Sequence, residues 1–426
     1  MSTYQRLIIS LLFTMLLLTA CAARMSPTPS AMSTQTRVSK ATSTITPVGT
    51  SILIPSPSPT VAIPILDSFY PVTRLSLAAS ERVLDMVAEP DGNIWLITDL
   101  RVLHYSQGSW TNYLSQISGT LIGMDSDHHV WVASDDRVQV SVWDGSAWTS
   151  FGPETGWKPL PVLANGTEIH GKVATDALGQ VWLATERDVR MFDGAEWKVF
   201  DLDDLGMPRP VYEDALPETT ITFLEASDYI WVMSCYWIGP GPAGGGGARW
   251  YDGKTWQGSN SPVADGCATV VNEDKLGSIW FGLDNDLWRL DTLSGNWEHF
   301  PEPNPPEGNR FGFFTDMALD AAGNPWPELD ICGGASCYIG NVRYHVTGGE
   351  WFQIGDVGID NSSLYFDVTG QGWVFTSGRV FRIAEDQLEP VAELSILKVA
   401  TDPSGKLWII GVYEDETVLW AQTLDN

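Results

Sequence analysis

Basic residues are scarce in this sequence. There are 24 Lys and Arg residues against 53 Asp and Glu residues, and all 53 acidic residues lie after position 64 with only 20 of the basic ones. Residues 65–426 therefore carry a formal net charge of −33. A surface of this sign repels nucleic acids and anionic lipid surfaces, so we expect neither as a partner of this segment. A net charge this far from zero is typical of proteins that remain soluble outside the cell.

Long apolar runs are missing except near the start. Leu7 to Leu18 is largely apolar and follows Arg6, but it is shorter than the roughly 20 residues that a membrane-spanning helix needs. The run is typical of a signal peptide. It leads into Leu18-Thr19-Ala20-Cys21, which resembles the lipobox of bacterial lipoproteins. The resemblance implies cleavage before Cys21 and lipidation of that cysteine. An ordinary signal peptide with an incidental cysteine is the alternative.

Acidic residues are absent from residues 22–64, which are rich in Ser, Thr, Pro and Ala and include "SPTPS" and "IPSPSPTVAIP". Such a segment cannot bury enough apolar surface to offset its chain entropy. We expect residues 1–20 to be a signal peptide, residues 21–64 to be the lipidated cysteine with a disordered stalk, and residues 65–426 to be the folded domain. The protein would then be exported and held at the cell membrane by its lipid.

Motifs for bound groups are also missing. The glycine run "GPGPAGGGG" lacks the GK[ST] of a phosphate loop, the "DND" at 284–286 lacks an EF-hand pattern, and the six histidines are scattered. We therefore expect no cofactor and no metal. We read the acidic groups at turns as solvated turn residues.

Only five cysteines occur. With Cys21 lipidated, Cys235, Cys267, Cys332 and Cys337 are left, and an even number in an exported chain suggests two disulfides. The C-x4-C spacing of the last two is not a zinc-finger pattern. Four buried free thiols are the alternative.

Tryptophan, in contrast, is abundant and periodic. An acidic or polar residue, a Gly and an aliphatic residue precede Trp in "DGNIW", "DALGQVW" and "DPSGKLW", and looser copies occur elsewhere. The copies end at eight tryptophans, 35 to 51 residues apart: Trp95, Trp131, Trp182, Trp231, Trp280, Trp326, Trp373 and Trp408. This spacing is typical of propeller blades rather than of the shorter coils of a β-helix.

A second element follows the first in each unit. "WDGSAWTSF", "FDGAEWKVF" and "YDGKTWQGS" place Asp-Gly between two alternating runs, which predicts a hairpin with a type I′ turn and positive φ at both residues. The glycine before the first Trp likewise suits a left-handed turn residue. Each unit therefore reads as four short strands, and the flanking aromatic residues would cover the neighbouring sheets.

These motifs resemble a known family. "DGNIWLIT", "GQVWLAT", "GSIWFGL" and "GKLWIIG" are similar to the two-component regulator propeller repeat, over about Val83 to Gln422. The resemblance implies an all-β propeller and a sensor-like role, but no activity. Unit four has Ser227-Asp228-Tyr229 where Gly is expected, and unit six has Pro325-Trp326-Pro327, which would weaken its strand ladder.

The last unit is one strand short. "YPVTRLSLA", from Tyr70 to Ala78, would supply the missing outer strand and close the ring without an open edge. We expect one propeller of eight four-stranded blades, with seven blades as the alternative.

Strand alternation places the turns on two faces. The first-to-second and third-to-fourth turns, which are short, share what we call the hairpin face. The second-to-third turns and the links between blades share what we call the looped face, which holds the predicted insertions 152–169, 201–219, 235–248, 301–310 and 332–341. Binding sites are usually built from variable loops on a rigid scaffold, so we expect the site here.

The candidate binding residues on the looped face are aromatic or charged: Tyr236, Trp237, Arg101, Arg137, Arg187, Asp284 and Asp286. Exposed aromatic rings suit stacking on a sugar or on an apolar patch of a partner, although both rings could instead pack on a neighbouring blade. Cys235 and Cys267 fall on this same face, so a disulfide between them would leave Cys332 and Cys337 to close the blade-six loop.

The sequence favours a protein that binds a glycan, peptide or protein partner over an enzyme. A propeller hydrolase or lyase is the alternative, and a structural or assembly scaffold is the second alternative. No motif groups catalytic residues, and the sequence does not identify the ligand.

Overall fold

We describe the protein from a computed structural model. It describes residues 68–113, 119–134, 139–158, 173–184, 188–209, 216–224, 227–238, 241–302, 310–333, 336–354, 362–384 and 387–423. The predicted signal peptide, lipidation site and stalk lie outside these ranges. Among the described residues no helix is long and apolar enough to cross a membrane.

The described residues form eight antiparallel sheets of four strands each, which we number as blades one to eight. Blades one to four contain β2 (Val83–Ala88), β3 (Ile94–Thr98), β4 (Val102–Ser106), β5 (Ser109–Tyr113); β6 (Gly119–Met124), β7 (Val130–Ser134), β8 (Val140–Trp143), β9 (Trp148–Phe151); β10 (Val173–Thr175), β11 (Val181–Ala184), β12 (Asp188–Phe192), β13 (Trp197–Asp201); β14 (Leu216–Leu224), β15 (Tyr229–Ile238), β16 (Gly241–Tyr251), β17 (Trp256–Gln257).

Blades five to eight contain β18 (Ala268–Glu273), β19 (Ser278–Leu283), β20 (Asp286–Asp291), β21 (Asn296–Phe300); β22 (Arg310–Leu319), β23 (Pro325–Gly333), β24 (Ser336–Thr347), β25 (Glu350–Ile354); β26 (Ser363–Phe366), β27 (Gly372–Phe375), β28 (Arg379–Ala384), β29 (Gln387–Glu393); β30 (Ser395–Thr401), β31 (Leu407–Tyr413), β32 (Glu416–Gln422), β1 (Phe69–Leu75). The only helical segment among the described residues is a 3-10 turn at Pro153–Thr155.

The sheets form a closed eight-bladed β-propeller, which confirms the predicted fold. The first strands of successive blades contact one another, so β2, β6, β10, β14, β18, β22, β26 and β30 surround a central channel. Strand β1 pairs with β32 and is the outermost strand of blade eight, so the N-terminal strand closes the ring as expected. Phe69 is fully buried there, with its ring 5.1 Å from that of Trp373 in blade seven.

The acidic residue of the repeat locks each first hairpin. In seven blades the indole Nε1 of the repeat tryptophan donates to a carboxylate six residues earlier; the carboxylates belong to Glu89, Asp125, Asp176, Asp274, Asp320, Asp367 and Asp402. In blade four the hydroxyl of Ser227 accepts from Trp231 instead, at 3.0 Å. In the six blades with aspartate, the other oxygen accepts backbone N–H groups two and four residues on.

The turn itself needs a left-handed residue. Gly92, for example, has φ 83°, a conformation open to glycine at little cost. Where the glycine is missing, His128 (φ 65°) and Asp228 (φ 56°) take its place. The two departures from the motif in blades two and four therefore keep the same turn.

Each repeat tryptophan also fills the space between two blades. Eight apolar clusters lie one between each pair of neighbouring blades, and each cluster contains one repeat tryptophan that is at most 6% exposed. The indole therefore has two roles: its nitrogen closes its own hairpin, and its ring packs against the next blade. This double use explains why the motif recurs once per blade.

The outer hairpins differ from the predicted turn type. Gly145, Gly194 and Gly253 have positive φ, but the preceding aspartates do not, so the expected type I′ geometry is wrong. Asp144 shows what the aspartate does: its Oδ1 accepts the backbone N–H groups of Ser146 and Ala147. Glycine then takes the first central position of the loop, as it does in type II′ turns.

The two prolines of blade six have the predicted effect. Pro325 and Pro327 lack an N–H group, and β23 pairs with β24 only from Glu328 onward. The pairing of β23 with β24 therefore begins two residues after Trp326, and the ring of His345 stacks on the indole at 4.2 Å.

Candidate binding surface on the looped face

Blades four and six are taller than blade five on the looped face. Strands β15 and β23 continue seven residues beyond their repeat tryptophans, whereas β19 ends three residues beyond Trp280. Four extra residues correspond to about 13 Å of extended chain. The two-residue turn Asp284–Asn285 of blade five therefore lies between two projecting hairpins. We call this region the blade-five notch: the turn 284–285 flanked by the hairpins 229–251 and 325–347.

The wall on the blade-four side, within the predicted insertion 235–248, is a regular hairpin. Residues Gly241–Tyr251 form β16, an 11-residue strand. A Cβ on Gly246 would lie 2.2 Å from the carbonyl oxygen of Ser234, and one on Gly247 would lie 2.5 Å from that of Ala264. The glycines thus allow a close backbone approach that no other residue permits.

A disulfide joins this wall to blade five. Cys235 of β15 bonds to Cys267, just before β18, across a sequence separation of 32. This is the pairing expected from the position of both residues on the looped face. The crosslink holds the base of the blade-four hairpin against the link that leads into blade five, so the notch is braced on that side.

The two candidate aromatic rings have different environments. Tyr236 is 6% exposed and lies in the apolar cluster between blades three and four, so the expectation that it is exposed is wrong. Trp237 is half-buried, and its ring meets that of Phe313 of blade six edge-on at 4.7 Å. Because this contact skips blade five, the two rings meet across the inner end of the notch.

The carboxylate of Asp284 lies at the floor of the notch. Asp284 is a left-handed turn residue (φ 53°) whose Oδ1 accepts the N–H of Cys267 at 2.9 Å. The carboxylate thus folds back onto the disulfide-bearing link. Desolvation by the surrounding protein, together with the negative charges of Asp286 and Asp265, raises the pKa of Asp284.

Asp286 and Glu302 extend this acidic floor. Asp286 accepts from His299 Nε2 at 2.8 Å and from the backbone N–H of Glu302 at 3.1 Å. Glu302 is buried; it receives hydrogen bonds from Asn285 Nδ2 at 3.2 Å and from the Tyr344 hydroxyl at 3.3 Å. Burial, opposed by these bonds, raises the pKa of Glu302. The floor therefore offers hydrogen-bond acceptors and negative potential.

Arg101 has a structural partner. Its guanidinium bonds to Glu81 at 2.7 Å and to the carbonyl oxygen of Ser76 at 2.9 Å, which ties the blade-one turn to the link after β1. An arginine engaged in this way is not poised to clamp a ligand. Arg137 and Arg187 lie outside the described residues, and so do Asp135 and Asp136.

Cys332 and Cys337 lie in β23 and β24, on either side of the blade-six hairpin. A disulfide between them remains a prediction, because their side chains are outside what the structure describes. The hairpin ends on the looped face, like that of blade four, so the two projecting segments share one side of the ring.

Sequence reasoning missed Phe313, Asn285 and Glu302. Phe313 belongs to an ordinary apolar strand, and Glu302 belongs to a link rich in proline and acid, so neither carries a local signal. Only the ring arrangement of blades four, five and six brings them to Trp237 and Asp284.

Comparisons with known proteins assign no family and no activity to this chain. No protein-family model and no curated protein matches the chain. Among solved structures, a streptogramin B lyase is 13% identical, with 85% of this chain and 100% of that chain covered and a TM-score of 0.45. The Dos1 propeller is 11% identical, with 83% and 94% covered and a TM-score of 0.49.

A third similar structure is the extracellular domain of a putative hybrid two-component system from B. thetaiotaomicron. It is 12% identical, with 82% of this chain and 58% of that chain covered and a TM-score of 0.31. Likeness at this level carries no conclusion about activity.

Proposed function

We propose that this protein is an exported, lipid-anchored propeller that binds an extracellular glycan, peptide or protein through its looped face. The observation that carries the proposal is the blade-five notch, in which two extended hairpins flank a short acidic turn. In the other six blades the second strand ends two to five residues beyond its repeat tryptophan, so the seven-residue extensions of β15 and β23 distinguish blades four and six.

The notch offers two complementary kinds of contact. Trp237 presents the part of its ring that Phe313 and its own hairpin leave uncovered, and this surface suits stacking on a sugar ring or an apolar side chain. Asp284 and Asp286 accept hydrogen bonds, which sugar hydroxyls and backbone or basic side-chain N–H groups donate. Bracing by the disulfide preorganises this surface and lowers the entropy cost of binding.

The place of the protein follows from its first residues and its cysteines. A disulfide between Cys235 and Cys267 suits an oxidising compartment outside the cytosol. Lipidation of Cys21 would anchor the chain with the propeller facing the extracellular or periplasmic side. In cells, Cys21→Ser should move the protein from the detergent phase to the aqueous phase in phase-partition experiments. If Cys21→Ser partitions as the wild type does, Cys21 does not carry a lipid anchor.

A binding experiment tests the looped face. Purified protein is applied to a glycan array and used in pull-downs from cell-envelope and medium fractions, together with Trp237→Ala and Phe352→Ala. Phe352 is the matched control, because it is an aromatic residue, 43% exposed, on the outer strand of blade six. We expect Trp237→Ala to lose about tenfold or more in affinity, as truncation of an aromatic anchor does, and Phe352→Ala to bind normally.

Equal binding by Trp237→Ala and wild type would refute the notch as the site. Turnover of a bound glycan or peptide would replace the binding function by the hydrolase or lyase alternative. Absence of any ligand, with retention of an envelope complex, would favour the scaffold alternative.

A further inference from the structure

The central channel contains a second, separate cavity. A space of about 550 Å³ runs along the first strands of blades four to seven and is lined from Thr222 in β14 to Phe366 in β26. Ligand sites in proteins commonly occupy 300–1,000 Å³, so the volume fits a small molecule. Much of the lining is polar, with Asn272, Asp316 and Ser363 among it.

Asp316 is the charged group of this wall. Its Oδ1 accepts the N–H of Met317 at 2.9 Å, and its Oδ2 accepts the N–H of Leu364 in blade seven at 2.8 Å. A carboxylate offers about four acceptor positions, so these two bonds leave others open. The side chain is 29% exposed although it lies deep in the ring, and this exposure is therefore to the channel.

The charge of Asp316 is incompletely neutralised by protein. Among the described residues Arg343 forms an ion pair with it, with Nη1 3.8 Å from Asp316 Oδ2. Arg343 already bonds through Nη2 to Glu328 and to the hydroxyl of Ser362. One guanidinium thus serves two carboxylates. Desolvation, only partly offset by Arg343, raises the pKa of Asp316.

Tyr365 belongs to the same cavity wall as Asp316. No described residue makes a hydrogen bond with the Tyr365 hydroxyl. The hydroxyl oxygen is not one of the solvent-inaccessible polar atoms, so it can be reached from the cavity. Burial, followed by the negative charges of Asp316 and Asp85, raises the pKa of Tyr365, so the hydroxyl stays protonated. Because this hydroxyl is accessible and has no partner among the described residues, it is available to a bound molecule.

Charged residues also recur at one level of the channel wall. Five described first strands carry a β-bulge. The residue just after the bulge is charged in three of them, Asp85 in β2, Asp316 in β22 and Lys398 in β30, and apolar in β6 (Leu121) and β18 (Val270). Bulges re-aim side chains and are frequent next to sites. Glu273 also lines the cavity and adds a second carboxylate to its described wall.

We infer that the channel cavity is a binding site for a small organic ammonium ion, held by the carboxylate of Asp316 and the hydroxyl of Tyr365. An ammonium group supplies both the missing positive charge and the donors that the free acceptor positions of Asp316 require. The Tyr365 oxygen accepts a further N–H from the same group. This site does not use Trp237 or Asp284, the residues proposed to contact a partner in the notch.

Matched probe pairs test the inference by isothermal titration of the full-length protein. The charged probes are 1,4-diaminobutane and glucosamine, and their neutral counterparts are 1,4-butanediol and N-acetylglucosamine. We expect at least one charged probe to bind at one site per chain and neither neutral counterpart to bind. Absence of binding by both charged probes overturns the inference, as does equal binding of a charged probe and its neutral counterpart.

Two variants assign the site. Asp316→Asn should weaken the charged probe by about tenfold or more, which is the loss expected when a charged hydrogen-bond partner is removed. Tyr365→Phe removes only one oxygen and should lower the affinity for the charged probe severalfold. This variant alone tests the site if Asp316→Asn does not fold. Asp284→Asn, in the notch, should bind the probe normally. Unchanged affinity in Tyr365→Phe together with Asp316→Asn, or in Tyr365→Phe alone if only it folds, refutes the site.

The binding of a partner and the binding of the ammonium probe can each be refuted without refuting the other. Loss of partner binding in Trp237→Ala with intact ammonium binding supports both sites. Loss of ammonium binding in Trp237→Ala would show that the probe occupies the notch, and the channel inference would then be wrong.

Discussion

Replacement of Asp367 by asparagine tests the physical basis of the repeat. In blade seven, Asp367 Oδ1 accepts the backbone N–H groups of Thr369 and Gln371 and the Thr369 hydroxyl, at 2.6–3.0 Å. Oδ2 accepts the indole N–H of Trp373 at 2.8 Å and the side-chain amide of Gln422 in blade eight. Every one of these partners is a donor, and Trp373 is 2% exposed.

Asparagine has the shape of aspartate but only one acceptor oxygen. In one orientation its NH₂ group faces the two backbone donors, and in the other it faces the indole donor, so some buried donor loses its acceptor. A lost bond to a charged group costs about 1.5–3 kcal/mol, and a buried donor left unsatisfied costs about 1–3 kcal/mol. We expect Asp367→Asn to lower the free energy of unfolding by about 2–4 kcal/mol.

The assay is urea unfolding followed by tryptophan fluorescence, with Asp193→Asn as the control. Asp193 also caps a turn with two backbone N–H bonds, but it is exposed and holds no indole, so its replacement should have a much smaller effect. A loss below about 0.5 kcal/mol in Asp367→Asn would refute the stabilising role of the carboxylate, because it is smaller than the net value of a typical single hydrogen bond.

The same variant predicts a pH dependence. Burial alone would raise the pKa of Asp367, but the bonds from Thr369, Trp373 and Gln371 outweigh it and hold the pKa below its ordinary value of 3.8. The carboxylate therefore stabilises the fold fully above that value, and this stabilisation is lost as the pH falls through the lower, folded-state pKa. The difference between wild type and Asp367→Asn should be constant near neutral pH and shrink below about pH 4. A difference that grows on acidification would contradict this account.

Two further predictions concern the closure of the ring and the brace of the notch. Phe69→Ala should lower the free energy of unfolding by about 3–5 kcal/mol, because the Phe69 ring is fully buried between β1 and blade seven. Tyr70→Ala is the control and should cost far less, because that side chain is 40% exposed. Equal urea midpoints for the two variants would argue against closure of the ring by β1. Cys235→Ser should leave Cys267 as a free thiol, which a thiol titration of the unfolded protein detects. It should also lower the free energy of unfolding by about 3–4 kcal/mol, which is the loop-closure entropy that a crosslink of this sequence separation removes from the unfolded chain. Unchanged stability would show that the crosslink does not brace the fold.

The blade count and the hairpins could be predicted because their causes are local. An acid, a glycine and a tryptophan within seven residues, as in 176–182, contain both partners of the hydrogen bond that closes the hairpin. The N-terminal closing strand was predictable from a count, since the last unit lacked a strand. The turn type at Asp144 was not, because alternating runs around Asp-Gly indicate a hairpin without fixing which residue occupies its first central position.

The candidate site was predictable only as a face. Tyr236 and Trp237 are adjacent and point to opposite sides of β15, so one is buried against blade three and the other meets blade six. The sequence of the strand contains nothing that tells these sides apart, since both are apolar at this position of the ring.

The sequence by itself determined that the chain is a series of hairpins, each with a repeat tryptophan, and how many there are, because each hairpin depends on residues a few positions apart. It also determined the acidic character of the folded part, because this depends only on composition. Only the tertiary structure decided that Trp237 meets Phe313, that the turn containing Asp284 lies between two projecting hairpins, and that Asp316 and Tyr365 line one cavity. Those contacts join blades that are far apart in sequence, and their distances depend on the curvature of the ring as a whole.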